Sequence, residues 1–489
     1  MTTPAAALVF GANGYIGSNL VPFLSDAGWQ VRAAARNASL LEARNWHSVE
    51  CVQADALQME TLAAVLDGVD VAFYLVHSMN AAGSFTQLDL QAADNFAKAA
   101  AAAGVARIVY LGGLVPDGAD TGEHIESRRQ TGEVLRQGSV PVTEIRAGII
   151  IGPGSAAFEV MRDLVLNLPV MITPRWVRAK SPPIALGNLL VYLEQIALRE
   201  EASGQVYEAA GAEICTYHTM MEHVAAAVGK RVPLIFPVPL LSPTVSSYWL
   251  GLTTAVPTNI ARALIGGLKN DFSADDAALR QLVPQRLLGV REAIDAAFEA
   301  ERQHTTAARW TEGAFAMRAF DHQVAFYAKR ASGSAIARTS AAAVWQQVTA
   351  IGGDRRYYYM NSLWRIREVM DWCVGGPGLS RGRRHPVELR LGDSIDYWTV
   401  VGIKEQQRLT LNFGMRAPGA GVLEFEIEPL GPHRSRVTAT AYWHPKGVWG
   451  LAYWYALVPA HLFIFKGMTR AIARQAELEA GTDRVILPG

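Results

Sequence analysis

Seven residues near the start of the chain have the types and spacing to hold a phosphate. Gly11, Gly14 and Gly17 recur at every third position, with Ala12, Asn13, Tyr15 and Ile16 between them. The run follows an apolar stretch and opens an amphipathic one. Glycines there permit a tight turn and a close backbone approach, and the amides at the start of the following helix attract a pyrophosphate. The second apolar run decides the nucleotide. A carboxylate at its end would hold a ribose 2′-hydroxyl, but the sequence reads Val31-Arg32-Ala33-Ala34-Ala35-Arg36-Asn37. A guanidinium can take a 2′-phosphate through paired, charge-assisted hydrogen bonds. We therefore expect NADP(H), with Arg36 as the main contact and Arg32 as a lesser one; the alternative is that both are solvated surface charges.

The elements that must position this loop are legible in the first 150 residues. The pattern predicts strands over 5–10, 30–35, 49–53, 69–76, 107–111 and 142–151, with helices over 16–26, 61–66, 85–103 and 126–136 between them. Apolar runs without polar alternation fit strands buried on both faces. Strand and helix in alternation imply a parallel, doubly wound α/β sheet. Leu75 and Val76, at the end of the fourth strand, are expected to line the cofactor's path. From Gly152 to about residue 305 repeated prolines break the pattern into short pieces, which suggests a substrate lobe attached to the first sheet. Residues 306–330 read as a linker. Beyond them, over 331–489, aromatic residues become dense and strand-like alternation returns at 394–401, 408–413, 422–428 and 436–443. A helix-like stretch closes the chain, so this region predicts an α+β domain.

Composition narrows the function. The 489 residues carry 45 Lys+Arg against 45 Asp+Glu, and a neutral chain lacks the basic surface that a general nucleic-acid binder needs. Cys51, Cys215 and Cys373 are too far apart for a disulfide framework or a zinc site, and no other spacing suggests a metal. The start shows no secretory signal. A cytoplasmic protein is expected, and the oligomeric state is not legible.

The Gly-x-x-Gly-x-x-Gly spacing resembles that of extended and atypical short-chain dehydrogenase/reductases, most closely the NmrA-like and isoflavone-reductase-like branch, over roughly residues 5–300. The run Arg146-Ala147-Gly148-Ile149-Ile150-Ile151-Gly152-Pro153-Gly154 resembles that family's strand and loop before the substrate lobe. The resemblance implies that this loop lies beside the nicotinamide and that Asp55 meets the adenine. It also exposes a departure. Typical members carry a Ser and a Tyr-x-x-x-Lys pair for proton transfer. Here Gly112 and Gly113 stand where the Ser would be, and the other segment reads His124-Ile125-Glu126-Ser127-Arg128. Arg128 could anchor the ribose. His124 could serve as an acid or be an ordinary loop histidine, and His77 is a second candidate. Quinones and conjugated enones spread incoming charge over their own π-system and need little acid help. The expected function is thus an NADP(H)-dependent oxidoreductase acting on a small apolar carbonyl, enone or quinone-like substrate. The alternatives are a non-catalytic NADP(H)-binding redox sensor or scaffold, and an apolar-ligand carrier or cyclase acting through the C-terminal domain.

That domain resembles one of unknown function found fused to atypical reductases, through Ser362–Arg367, Gly375–Leu379, Arg381–Pro386, Gly392–Trp398 and Trp443–Gly447. The resemblance suggests START-like or polyketide-cyclase-like relatives, with an apolar cavity between a curved sheet and a long helix. The tryptophans could line a cavity or simply fill a core. Arg381, Arg383, Arg384 and His385 could bind an anion or form a solvated turn. Residues 447–465 hold no Asp, Glu, Lys or Arg. They could span a bilayer, touch its surface as a peripheral contact, or close the domain as a buried helix.

Overall fold

The computed structural model describes residues 5–483, apart from 37, 43, 45, 77–84, 117–121, 169, 174, 238–270, 303–327, 374, 377–382, 384, 386–387 and 391. The chain divides into two compact units, Met1–Leu252 with Val256–Trp310, and Thr253–Ala255 with Thr311–Gly489.

The first unit is built on seven strands: β1 (Ala6–Phe10), β2 (Gln30–Ala35), β3 (Val49–Gln53), β4 (Val71–Tyr74), β5 (Arg107–Gly113), β6 (Val142–Ala147) and β7 (Val206–Ala209). They lie in the order β7-β6-β5-β4-β1-β2-β3, and every neighbouring pair is parallel. Helices α1 (Tyr15–Asp26), α2 (Ala38–Glu42), α3 (Leu62–Leu66), α4 (Phe85–Ala102) and α5 (Gly122–Arg136) connect the first six strands. Alternate residues feed two cores. Ala7, Val9, Val71 and Phe73 pack on one face, while Leu8, Phe10, Ala72 and Tyr74 pack on the other. Each buried Leu, Val or Phe contributes about 1.5–3 kcal/mol, so the sheet is a stiff base for the loops at its strand ends.

Two details depart from the sequence pattern. The expected sixth strand splits: β6 stops at Ala147, and Ile150–Ile151 leaves the sheet to pair with Ile184–Ala185. β7 was invisible in the pattern. It lies at the sheet edge with one neighbour and mixed polarity, Val206 being exposed, so it lacks the continuous apolar run of a central strand. The lobe adds α6 (Ala156–Asn167), α7 (Leu186–Ala197), α8 (Tyr217–Ala227), α9 (Ala277–Leu282) and α10 (Val290–Arg302). Arg107, buried in β5, ties α7 down by donating to the carbonyls of Ile196, Ala197 and Arg199, where a helix C-terminus leaves acceptors open.

The second unit is a six-stranded antiparallel sheet of β8 (Lys329–Ala337), β9 (Ser394–Ile395), β10 (Trp398–Lys404), β11 (Arg408–Phe413), β12 (Gly419–Gly431) and β13 (Arg434–Pro445), in the order β8-β13-β12-β11-β10-β9. Helices α11 (Ala341–Thr349) and α12 (Asn361–Cys373) precede the meander, and α13 (Gly447–Asp483) closes it. The inner side of α13 buries Trp454, Phe465, Met468, Ile472 and Ala476 in the domain core. Gly333 of β8 permits the approach: a Cβ there would collide with the backbone of Phe465 and Lys466.

By length and composition α13 could cross a bilayer. Its inner face packs on an open sheet, however, and an open sheet cannot enter hydrocarbon with unpaired edges. Within residues 447–465 the helix buries Leu451, Trp454, Ile464 and Phe465 against its own domain. The outer face nonetheless exposes Val448, Trp449, Leu462 and Phe463. Of the arginine cluster, Arg381 and Arg384 lie outside the described residues. Arg383 is a structural clamp, donating to the carbonyls of Thr349, Ile351 and His385.

Candidate cofactor and active site

The glycine loop is built by backbone contacts. Gly11 ends β1 at φ +93°, and its amide and that of Ala12 both donate to the Ala34 carbonyl at 3.0 Å. A Cβ on Gly11 would lie 3.0 Å from the carbonyl carbon and oxygen of Leu75, so the loop rests on the end of β4. Gly17 lets α1 fold back on its own loop: a Cβ there would sit 2.5 Å from the Gly11 carbonyl oxygen. Gly14 caps α1 without a side-chain hydrogen bond; its amide donates to the Gly11 carbonyl at 2.9 Å, and the helical ladder begins with the Ser18 amide, onto Gly14, at 2.9 Å. The amides of Tyr15, Ile16 and Gly17 precede that ladder, as the first amides of a helix do. Asn13 stands half-buried just before them.

The two arginines separate. Arg36 follows β2 and is exposed. Arg32 is engaged elsewhere: its Nε donates to Glu50 at 2.7 Å, and Nη1 donates to the carbonyls of Val65 and Asp67, each at 2.9 Å. Three of its five N–H donors are thus spent on a carboxylate and two carbonyls, which leaves the two of Nη2. Asp55 forms the turn after β3, accepting from the Leu57 amide at 3.1 Å. Leu75 and Val76 stand half-buried beyond β4, and His77 lies outside the described residues.

At the missing serine the structure supplies a reason. A Cβ on Gly112 would lie 2.7 Å from Oε1 of Glu144, and one on Gly132 would lie 2.7 Å from its Oε2. Glu144 is buried and is held by Arg136 and by Arg146, the latter at 2.8 Å. The space for a residue-112 side chain is thus filled by a carboxylate. Next to it, Arg128 extends across the end of β5, donating through Nη2 to the Leu111 carbonyl at 2.5 Å. It passes over Gly113, where a Cβ would lie 3.6 Å from Nε, an ordinary van der Waals contact. That Nε is buried and has no partner among the described residues. His124 lies in the first turn of α5, and its side chain lies outside the described residues. Ser127, its neighbour, is a packing group, donating to Asp89 at 3.2 Å.

Sequence reasoning missed Glu159. This fully buried residue of α6 accepts from the Gly154 amide at 2.8 Å, and burial pushes its carboxyl up to about 7 against the pull of Arg162 and that amide. Tyr15 is its electrostatic neighbour. The Tyr15 hydroxyl is buried without a partner among the described residues, and a Cβ on Gly152 would lie 2.6 Å from it. Burial first, and Glu159 second, raise the phenol well above its ordinary value. The only sequence signal was a Glu-x-x-Arg-Asp run inside an otherwise apolar helix. Among the described residues no group of metal-ligating side chains occurs.

Comparison with known proteins follows the same division. The NmrA-like family model matches residues 5–240, and that of a protein family of unknown function, DUF2867, matches residues 325–468. A (4-alkanoyl-5-oxo-2,5-dihydrofuran-3-yl)methyl phosphate reductase of Streptomyces griseus subsp. griseus is 29% identical over 237 residues, 47% of this chain and 75% of that protein. A 3β-hydroxysteroid dehydrogenase/Δ5→4-isomerase of Mycobacterium tuberculosis is 33% identical over 113 residues, 21% of this chain and 30% of that one. Among solved structures, an NADPH-dependent quinone oxidoreductase of Escherichia coli complexed with NADPH superposes with a TM-score of 0.50 at 21% identity, over 60% of this chain and 99% of that one. An epimerase of Methanothermobacter thermautotrophicus gives 0.50 at 15%, over 62% and 93%. These structural likenesses establish the fold of the first unit. The chain is thus similar to the NmrA-like family over residues 5–240 and to the DUF2867 family over residues 325–468, two stretches that lie in separate compact units.

Proposed function

We propose that the first unit is an NADP(H)-dependent oxidoreductase of the atypical short-chain dehydrogenase/reductase type, acting on a small apolar carbonyl, enone or quinone-like substrate. The observation that carries this reading is the uncapped start of α1 above the glycine loop, with Arg36 exposed at the end of β2. The amides of Tyr15, Ile16 and Gly17 would hold the pyrophosphate, and Arg36 the 2′-phosphate. NADPH, when bound, supplies a hydride. Arg128, with an unspent Nε–H at the end of β5, would hold the ribose. Glu144 fills the place of the usual serine, so the protein offers no serine–tyrosine relay and the acceptor must delocalise its own charge. In keeping with this, the Streptomyces relative is named as a reductase of an oxo-dihydrofuran, and the quinone oxidoreductase that shares the fold is complexed with NADPH. His124 and the buried Glu159 are the two candidate proton donors.

Isothermal titration of NADPH and NADH, followed by a quinone and enone panel, tests the reading. NADPH is expected to bind at least about tenfold more tightly than NADH, with oxidation by part of the panel. Equal affinities would remove the Arg36 assignment. Tight NADPH binding with no turnover would favour the second reading, a redox sensor or scaffold, for which the filled position beside Gly112 speaks. We further read the second unit as helix-grip-like. The whole protein we place in the cytoplasm, its Trp449, Leu462 and Phe463 face available for a peripheral membrane contact.

A further inference from the structure

The second unit holds a pocket that the reductase reading leaves unused. It lies between the antiparallel sheet and helices α12 and α13 and is open to solvent on one side, with about 420 Å³ of empty space when that open solvent is counted. Its walls are aromatic, but its polar groups set it apart from a leftover packing defect. Arg367, half-buried in α12, places its guanidinium over the ring of Phe413 at 4.4 Å and near that of Tyr453 at 5.7 Å. No carboxylate pairs with it among the described residues. Of the two acids that follow it on α12, Glu368 takes Arg356 through both oxygens at 3.0 Å, while Asp371 accepts from the Arg416 amide at 2.6 Å through Oδ1 and leaves Oδ2 buried without a hydrogen-bond partner among the described residues. Arg367 Nε is buried without a partner.

Two more buried polar atoms beside the pocket share that condition, Nε1 of Trp364 and Nδ1 of His461. Trp364 is only 4% exposed. Its isolation contrasts with the other tryptophans of the wall, since Trp398 donates to the Tyr357 hydroxyl and Trp443 to the Gly450 carbonyl. A buried donor without an acceptor costs about 1–3 kcal/mol, and a desolvated cation asks for a counter-charge. Burial and the nearby Arg367 lower His461 to about 4, so at neutral pH the imidazole is uncharged and the pocket presents one positive charge.

We propose that this pocket is a binding site for a small aromatic monoanion, a single-ring carboxylate, with Arg367 and the Trp364 N–H on the carboxylate and the aromatic walls on the ring. One cation matches a monoanion better than a phosphate dianion.

Calorimetry and tryptophan fluorescence on the full-length protein test it, with benzoate, its neutral isostere benzamide, and acetate as probes. Benzoate is expected to bind saturably, and benzamide and acetate at least about tenfold more weakly, as loss of a charge-assisted hydrogen bond or of the ring contact implies. Arg367→Gln is expected to weaken benzoate by a similar factor while leaving benzamide unchanged. If that variant misfolds, Trp364→Phe keeps the ring, removes the N–H and is expected to weaken benzoate several-fold. No saturable benzoate binding, equal affinity for benzamide, or benzoate affinity unmoved in a folded Arg367→Gln variant overturns the proposal. NADPH titration of the same variant is expected to match the unaltered protein, so failure here is separable from failure of the reductase reading.

Discussion

The two units solve recognition in opposite ways. In the first, the proposed binding falls to backbone, in a loop whose close packing excludes side chains: a Cβ on Gly11 or Gly17 would strike Leu75 or the Gly11 carbonyl. In the second, the pocket is furnished by side chains from α12, β10–β13 and α13, dispersed over about a hundred positions from Trp364 to Phe465. Backbone recognition leaves a fixed spacing in the sequence. Side-chain recognition assembled across strands leaves only composition.

The sharpest way to break this comparison is at Gly17. Gly17→Val is expected to lower NADPH affinity by at least about a hundredfold, because the loop must open to admit the branched side chain, and titration calorimetry reads the loss. If affinity survives, the backbone account is wrong. Next comes Arg36→Glu, for which the NADPH-over-NADH preference is expected to fall by about ten- to a hundredfold or invert. Arg32→Gln is expected to leave that preference intact and only lower thermal stability, since Arg32 joins β3 and the end of α3.

Gly112→Ser probes the filled position. It is expected to destabilise by about 1–3 kcal/mol, the usual cost of overpacking, seen as a drop of roughly 2–4 °C per kcal/mol, without gaining activity. A smaller effect belongs to Glu159. Its carboxyl rises from 4.5 to about 7 on folding, so the folded protein keeps a proton that the unfolded chain has shed. The stabilisation is full below the unfolded value and is lost as pH rises through 7. Glu159→Gln is expected to flatten the decline in melting temperature between pH 5 and 8. A parallel decline in both proteins would show that Glu159 ionises freely.

Much of the first unit was legible. Strands β1, β4 and β5 carry nearly continuous apolar runs because both faces are buried, and the loop follows β1 with its spacing intact. β7 was hidden by its edge position, and β8, written Lys-Arg-Ala-Ser-Gly-Ser-Ala-Ile-Ala, by small residues that let α13 approach. Arg32 and Arg36 looked equivalent in sequence, since nothing local revealed that Glu50 and two carbonyls lie across from the first. Glu159 was missed for the converse reason: one acid in an apolar helix gives no hint that it is sealed from water. Arg367 escaped because its lack of a carboxylate partner depends on where Glu368 turns, and nothing local shows that Arg356 takes both of its oxygens.

The carboxylate lodged behind Gly112 ties several positions together. A side chain at residue 112 must displace the end of Glu144, and moving that carboxylate away would strand Arg136 and Arg146 with unbalanced charge. The choice of residue at one strand end is therefore coupled to a buried charge cluster contributed by a helix and the neighbouring strand, and a change there calls for matching changes at its partners.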